Sequence, residues 1–217
     1  MNLSISHTSA EDFSKYETDY RAFLRQIKAV NAPAYANMGD EGPHGFLYLV
    51  ENNKRWTADR GQIALLYDND KRSIVGISAV EHSTLHDDLG SGGNRLWVLP
   101  KYRQNNVVSK YLLNHNMQWC ADNNKVGMLL TFNDYNKKIY DSIKKFSSGQ
   151  GAALGNIWSD WWNDCAVLPR MIRLHNTPQW AVIKPVGTDE EVADLVATID
   201  ERFGVRDTPF IKSQNGR

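Results

Sequence analysis

Residues 96–108, Leu-Trp-Val-Leu-Pro-Lys-Tyr-Arg-Gln-Asn-Asn-Val-Val, are the stretch of the sequence that says most about the fold. The apolar residues up to Leu99 predict a buried strand, and Pro100 ends it because proline cannot donate a hydrogen bond to a neighbouring strand. From Val107 to residue 122 the apolar residues cover a broad helical arc, which predicts a helix. The polar loop between them brings backbone N–H groups to the start of a helix, where an anion can bind, and Arg103 adds a positive charge.

The rest of the sequence predicts strands on both sides of this stretch. A hairpin is predicted from 63–67 and 73–82, joined by the polar turn at 68–71, and the glycine-rich segment 90–93 predicts a loop before a strand at 95–99. Further strands are predicted at 3–6, 126–132, 166–174 and 180–184. With the helices that alternate with them, these strands predict a mixed α/β sheet flanked by helices.

Two capping boxes mark the first and last helices. Thr8-x-x-Glu11 predicts a long first helix that continues to residue 30, and Thr188-x-x-Glu191 predicts a last helix that stops at Gly204. Three more helices are predicted at 46–52, 107–122 and 136–146.

Length and composition indicate one globular domain, residues 1–204, followed by a polar tail at 205–217. Apolar residues make up 41% of the 217 and charged residues 23%, which is typical of a globular protein. The formal net charge of +0 argues against a nucleic-acid partner without excluding one. No signal peptide is recognised, the apolar runs are too short to cross a bilayer, and the two cysteines suggest no disulfide framework. We therefore expect a cytoplasmic protein without a membrane partner.

A second informative segment lies downstream. Residues 131–140, Thr-Phe-Asn-Asp-Tyr-Asn-Lys-Lys-Ile-Tyr, begin at the end of a predicted strand and enter a predicted helix, in which Ile139 is expected to face inward. Together, 96–108 and 131–140 resemble the two acetyl-CoA-binding segments of the GNAT acetyltransferase superfamily. This resemblance implies a central, twisted, mostly antiparallel sheet of about six or seven strands, flanked by helices, with a C-terminal helix.

The resemblance also implies a co-substrate, acetyl-CoA, and residues that contact it. The pantetheine arm would lie along the edge of the strand at Trp97, Val98 and Leu99, with Asn133 as a further contact. The diphosphate would lie against the loop and helix start formed by Arg103, Gln104, Asn105, Asn106, Val107 and Val108. Tyr140 would contact the co-substrate and donate a proton to the leaving thiolate of coenzyme A, and the N–H of Val98 could stabilise the oxyanion. Asn106 and Val108 depart from the family pattern, which prefers glycine at the first position and glycine or alanine at the second.

The acceptor side is open at this stage. The acceptor would be an amine of a small molecule or a peptide, with Glu81 or His82 as the base that deprotonates it. Alternation along a strand lets only one of these two side chains face the site. Six aromatic or histidine side chains are candidates for the acceptor pocket, with a buried core role as the alternative for the rings: Tyr35, His44, Trp56, Trp158, Trp161 and Trp162.

Three functional hypotheses follow from the sequence. The first is an N-acetyltransferase, the second a GNAT-fold enzyme that modifies a nucleobase, and the third a non-catalytic interaction protein that has lost the co-substrate. A homodimer is left open, and no metal site is predicted, because His82 and His86 have a suitable spacing only within a helix that the following turn residues argue against.

Overall fold

The computed structural model of the chain describes residues 2–30, 43–52, 55–103, 107–132, 137–148, 159–174 and 177–205. The strands are β1 (Leu3–Thr8), β2 (Gly61–Asp68), β3 (Ser73–His82), β4 (Leu89–Val98), β5 (Gly127–Phe132), β6 (Ala166–Val167), β7 (Ile172–Leu174) and β8 (Thr177–Pro185). The α-helices are α1 (Glu17–Val30), α2 (Pro43–Glu51), α3 (Asn114–Asp122), α4 (Lys137–Ser147), α5 (Ser159–Trp162) and α6 (Asp189–Phe203). Two 3₁₀ turns (Phe13–Tyr16 and Pro100–Tyr102) and a π-helix (Val108–Leu113) that runs into α3 complete the described elements.

The strands form one eight-stranded sheet with the order β1-β2-β3-β4-β5-β8-β6, and β7 pairs with β8. Every pair of neighbours is antiparallel except β4 and β5, which are parallel. The predicted mixed, mostly antiparallel sheet flanked by helices is therefore confirmed. It has eight strands, one more than the six or seven that the resemblance implied.

Two hydrophobic clusters hold the helices against the sheet. The larger joins α1, α2, the π-helix and α3 to strands β2 to β5, with Phe23, Ile77 and Leu112 among its fully buried side chains. The smaller lies under α6, where Leu195 and Ile199 pack against β5, β7 and β8. Thr188 begins α6 through the predicted capping box, and the helix ends at Gly204 as predicted.

Four local predictions were wrong, and the first is that of a single strand at 166–174, which the structure divides into β6 and β7. Thr8 does not cap a helix, because it pairs with Ile63 as the last residue of β1, and the carboxylate of Glu11 instead accepts hydrogen bonds from the N–H of Ala58. The segment at 90–93 is not a loop but part of β4, which begins at Leu89. Ile139 does not face inward: 43% of it is exposed, and Tyr140 and Ile143 of the same helix are buried in its place.

Candidate active site

The most unusual feature of the sheet is the junction between β4 and β5. The two strands pair only at their beginnings, where residues 89–91 face residues 127–129, and within the described chain no backbone pairing continues beyond that point. From Gly92 onward one edge of β4 is therefore open toward β5.

Irregular pairing on the other side of β4 accounts for this opening. Between Ile77 and Ala79, β3 advances by two residues while β4 runs from Trp97 to Asn94, which is three. The same mismatch recurs at the next step, where Glu81 faces Ser91. An extra residue in one strand of a pair bends that strand and increases its twist, so two in succession turn β4 away from the line of β5.

Val98 presents its backbone to this open edge. The N–H of Leu99 donates to the carbonyl of Val75 at 2.9 Å, so Leu99 bonds to β3. Because neighbouring residues of an antiparallel pair alternate in the direction of their backbone groups, the N–H and carbonyl of Val98 point away from β3 and into the opening. The Nε of Arg103 donates to this carbonyl at 2.7 Å, and the N–H of Val98 remains directed into the cleft.

The segment after β4 carries the predicted anion-binding loop. Gln104, Asn105 and Asn106 lie outside the described residues, as does Asn133. Val107 and Val108 are 7% and 4% exposed, and both side chains belong to the larger hydrophobic cluster. The helix begins as a π-helix at Val108, and such turns are frequent at functional sites. The β-branched side chain at the position where the family prefers glycine or alanine is therefore taken up by the core.

Tyr102 ties the start of this loop to the β2–β3 hairpin. Its hydroxyl donates to Asp68 Oδ2 at 2.5 Å, and Tyr102 is 1% exposed. Asp68 Oδ1 accepts the N–H groups of Asp70 and Lys71 at 3.1 and 3.3 Å. The hydrogen bond from Tyr102 is the main reason that the pKa of Asp68 lies below its ordinary value, and burial is the main reason that the pKa of Tyr102 lies above its own. Sequence reasoning missed this contact, since 34 residues separate the two partners.

Tyr140 lies beside the end of β5 and the neighbouring strand β8. Its ring is 6.2 Å from that of Phe132, the last residue of β5, and 6.0 Å from that of Trp180 on β8. The residue is 5% exposed. Burial, and next the nearby Asp141, raises the pKa of the Tyr140 phenol, so the hydroxyl keeps its proton throughout the physiological range.

Glu81 and His82 lie at the other end of β4. Gly76, which faces Val98, precedes Glu81 by five residues, about 17 Å of strand. The side chains point to opposite faces: Glu81 forms an ion pair with Arg55, whereas the ring of His82 packs edge-on against Trp119 of α3 at 5.1 Å. Burial, followed by the charges of Lys125 and Arg60, lowers the pKa of His82, which keeps its imidazole neutral near pH 7.

The described aromatic candidates for the acceptor pocket engage internal partners. Trp56 is fully buried against Phe46, with ring centroids 4.9 Å apart, and Trp162 is 3% exposed. Trp161 donates its ring N–H to Asn114 at 2.7 Å. Trp56 and Trp162 therefore take the core role left open as the alternative, whereas Trp161 is only partly buried where it packs against the larger cluster. Tyr35 and Trp158 lie outside the described residues, and the side chain of His44 is not among those described.

The described residues form neither a group of metal ligands nor a membrane-spanning helix. Among the residues that the structure describes, no group of three or more histidine, cysteine, aspartate or glutamate side chains could hold a metal ion. None of the described helices has the length and apolar character needed to cross a membrane.

Comparison with known proteins identifies the fold. No protein-family model and no curated protein matches the sequence. Among solved structures, an acetyltransferase from Streptococcus agalactiae is similar with a TM-score of 0.52 at 14% identity, over 85% of this chain and 98% of that one. A GNAT-family acetyltransferase from Staphylococcus aureus reaches 0.51 at 17%, over 85% and 99%. A proposed acetyltransferase of the GNAT family from Desulfovibrio desulfuricans reaches 0.56 at 7%, also over 85% and 99%. The fold expected from 96–108 and 131–140 is thereby confirmed: the chain has the GNAT fold.

Proposed function

We propose that this GNAT-fold protein transfers the acetyl group of acetyl-CoA to an amine of a small molecule or peptide, by direct attack within a ternary complex. The observation that supports this most is the open edge of β4, where the N–H of Val98 points into the cleft a few residues before the loop and helix start. An extended pantetheine arm can bond to such an edge as an added strand does.

The co-substrate would be held at two places. Trp97, Val98 and Leu99 would line the pantetheine arm, with Asn133 as an additional contact. The diphosphate would bind where Arg103, Gln104, Asn105, Asn106, Val107 and Val108 lead into the helix, because N–H groups at a helix start favour negative charge. The burial of Val108 in the core supports this placement, since its methyl groups are accommodated away from solvent.

The reaction needs one stabilised oxygen and two proton transfers. The amine nitrogen attacks the carbonyl carbon of the thioester, and the carbonyl oxygen becomes an oxyanion to which the N–H of Val98 donates. The carbon–sulfur bond then breaks, the thiolate takes a proton from the hydroxyl of Tyr140, and the amine nitrogen loses its proton to a base or to water. The ring of Tyr140 lies beside Phe132, the last residue of β5, and its protonated phenol supports the role of donor in the first of these transfers.

The base is assigned to Glu81 or His82, but both residues lie far along the strand from the position that faces Val98. Proton transfer requires contact at about 3 Å or through one water, whereas about 17 Å of strand separates both residues from the position that faces Val98. Deprotonation by either therefore proceeds through a chain of waters, or occurs before the amine reaches the thioester. His82 is the more suitable of the two, because its lowered pKa leaves it neutral and its partner is a ring, while Glu81 is engaged by Arg55.

Binding is tested by thermal unfolding with and without acetyl-CoA. A ligand at about 100 times its dissociation constant adds about 2.7 kcal/mol to the unfolding free energy, which is about 5–10 °C for a chain of this size. An unchanged melting temperature at millimolar acetyl-CoA would refute the enzymatic proposal and favour the non-catalytic alternative.

Catalysis is tested with Tyr140→Phe, using Tyr48→Phe as the matched control. Release of free thiol from acetyl-CoA is followed over a panel of amines and peptides. Tyr140→Phe should keep the acetyl-CoA-induced thermal shift and lower turnover by about 10²-fold or more, as expected when a general acid is lost. Tyr48 is 54% exposed on α2, so its variant should match wild type. Loss of binding together with turnover in Tyr140→Phe would show that the assigned role is wrong.

A further inference from the structure

Two lysines from separate parts of the chain meet beside the predicted diphosphate loop. Lys71 lies in the β2–β3 turn and Lys101 lies in the 3₁₀ turn after β4. Lys71 Nζ donates to the hydroxyl of Tyr102 at 3.1 Å and lies 5.6 Å from the centre of that ring. Lys101 Nζ lies 4.6 Å from the centre of the same ring. The tyrosine thus holds two exposed ammonium groups together, immediately before Arg103.

This arrangement leaves excess positive charge. The neighbouring ammonium of Lys71, and next burial, lowers the pKa of Lys101. Asp68 is the carboxylate next to the pair, 3.8 Å from Lys71 Nζ. Its single negative charge offsets only one of the two ammonium groups, and its two oxygens already accept hydrogen bonds from Tyr102 and from the turn N–H groups. An additional anion would relieve the repulsion between the two ammonium groups.

The hairpin also fixes both lysines in place. Asp68 accepts from the N–H of Lys71 and from the hydroxyl of Tyr102, so the turn and the 3₁₀ segment are joined through buried groups. The two ammonium groups are therefore presented on a rigid support, and less conformational entropy is lost when they bind a ligand.

We infer that Lys71 and Lys101 bind the 3′-phosphate of coenzyme A. This inference rests on the proposed function and extends it to a second phosphate site. Coenzyme A carries one phosphate monoester besides its diphosphate, and the helix start after Arg103 is the place of the diphosphate. A monoester carries a charge of about −1.5 to −2 near pH 7 with three acceptor oxygens, which suits two ammonium groups. The site would distinguish coenzyme A from its 3′-dephospho form.

The test compares the dissociation constants of acetyl-CoA and 3′-dephospho-acetyl-CoA, measured by titration calorimetry or thermal shift. One exposed ion pair is worth up to about a fivefold change in affinity, so wild type should prefer acetyl-CoA by about 10- to 25-fold. Lys71→Gln and Lys101→Gln should each reduce this preference by about three- to fivefold, and the double variant should bind both ligands about equally. Lys28→Gln, which removes an equal charge from the last turn of α1, should keep the full preference.

The outcomes separate this inference from the proposed function. If neither ligand binds to the wild-type protein, both the proposed function and the inferred phosphate site are refuted. If acetyl-CoA binds but wild type shows no preference over the dephospho form, or if the preference survives in the double variant, only the assignment of Lys71 and Lys101 is overturned. Both side chains are exposed, so unliganded melting temperatures near that of wild type will show that the variants are folded.

Discussion

Replacing Gly90 by alanine places a methyl group where β4 first pairs with β5, against the sulfur of α3. An ideal Cβ at Gly90 would lie 2.3 Å from Cys120 Sγ but 3.7 Å from Cys120 Cβ and 3.6 Å from a methyl of Val80. Leu89, which precedes the glycine, and Cys120 are both fully buried, and a thiol on a short side chain cannot move away as the end of a long one can. The new methyl group therefore clashes with one atom, Cys120 Sγ, in a tightly packed part of the core.

The magnitude follows from two opposing effects. Overpacking a core costs about 1–3 kcal/mol, whereas replacing a strand glycine by alanine returns about 0.5–1 kcal/mol through a less flexible unfolded chain. We expect Gly90→Ala to lower the unfolding free energy by about 1–2 kcal/mol. Cys120→Ala alone removes one buried atom and leaves a small cavity, which costs about 1 kcal/mol.

The double variant distinguishes this reasoning from a general intolerance of Gly90 to substitution. With the sulfur gone, the new methyl contacts Cys120 Cβ and Val80 at ordinary distances and fills the vacated space. The combined loss should therefore be at least about 1.5 kcal/mol smaller than the sum of the single losses, measured by urea unfolding at equilibrium. Additive losses would refute the packing of β4 on α3 at this position, and with it the strand assignment of the glycine-rich segment.

Two further predictions concern buried groups. Burial raises the pKa of Cys120 and of Cys165 to about 12. Neither thiol should therefore react with Ellman's reagent at pH 8 in the folded protein, and both should react after unfolding. Rapid modification of the native protein would contradict the buried placement of these cysteines. Tyr102→Phe should lower the melting temperature near pH 7 and lower it progressively less as the pH falls below 3.8. The lowered pKa of Asp68 contributes stability that is fully present above the unfolded value of 3.8 and is lost as the pH falls through the folded value. A lowering that stays constant through this acid range would show that the hydrogen bond does not act through the Asp68 charge.

The helices show where local sequence signals are sufficient. The same capping-box pattern occurs at Thr8 and at Thr188, and only the second begins a helix. Thr188 is free to cap because the chain leaves β8 there, whereas Thr8 is drawn into pairing with Ile63 of β2. A four-residue pattern contains no information about a partner strand more than fifty residues away. Here the pairing with that strand overrides the local preference for a helix cap.

The glycines of β4 were misinterpreted for a related reason. Glycine in a sequence usually indicates a turn, but Gly90 and Gly92 are needed because side chains of neighbouring elements approach the strand closely. An ideal Cβ at Gly92 would lie 2.0 Å from the sulfur of Met128, as that at Gly90 would from Cys120. Close approach between elements can be recognised only after the elements are known to meet.

In the candidate site, the local parts could be predicted from sequence and the contacts across the chain could not. The strand through Val98 and the helix after it follow from residues 96–108, and both are present. Neither the hydrogen bond that Tyr102 donates to Asp68 nor the convergence of Lys71 and Lys101 on one ring has a signature in the sequence. Both depend on the β2–β3 hairpin lying beside the end of β4.

The β3–β4 pairing links the architecture of the sheet to the proposed chemistry. A regular β4 would continue to pair with β5, and the N–H of Val98 would then be bonded to that strand and unable to reach a thioester. The two extra residues of β4 prevent this while the strand stays bonded to β3 as far as Leu99, so its open edge is held rigidly from one side. The carbonyl of Val98 does not remain unpaired either, because Arg103 donates to it from the following loop. That bond fixes the start of the loop proposed for the diphosphate relative to the N–H of Val98. The places proposed for the two ends of the co-substrate are therefore joined through a single residue of β4.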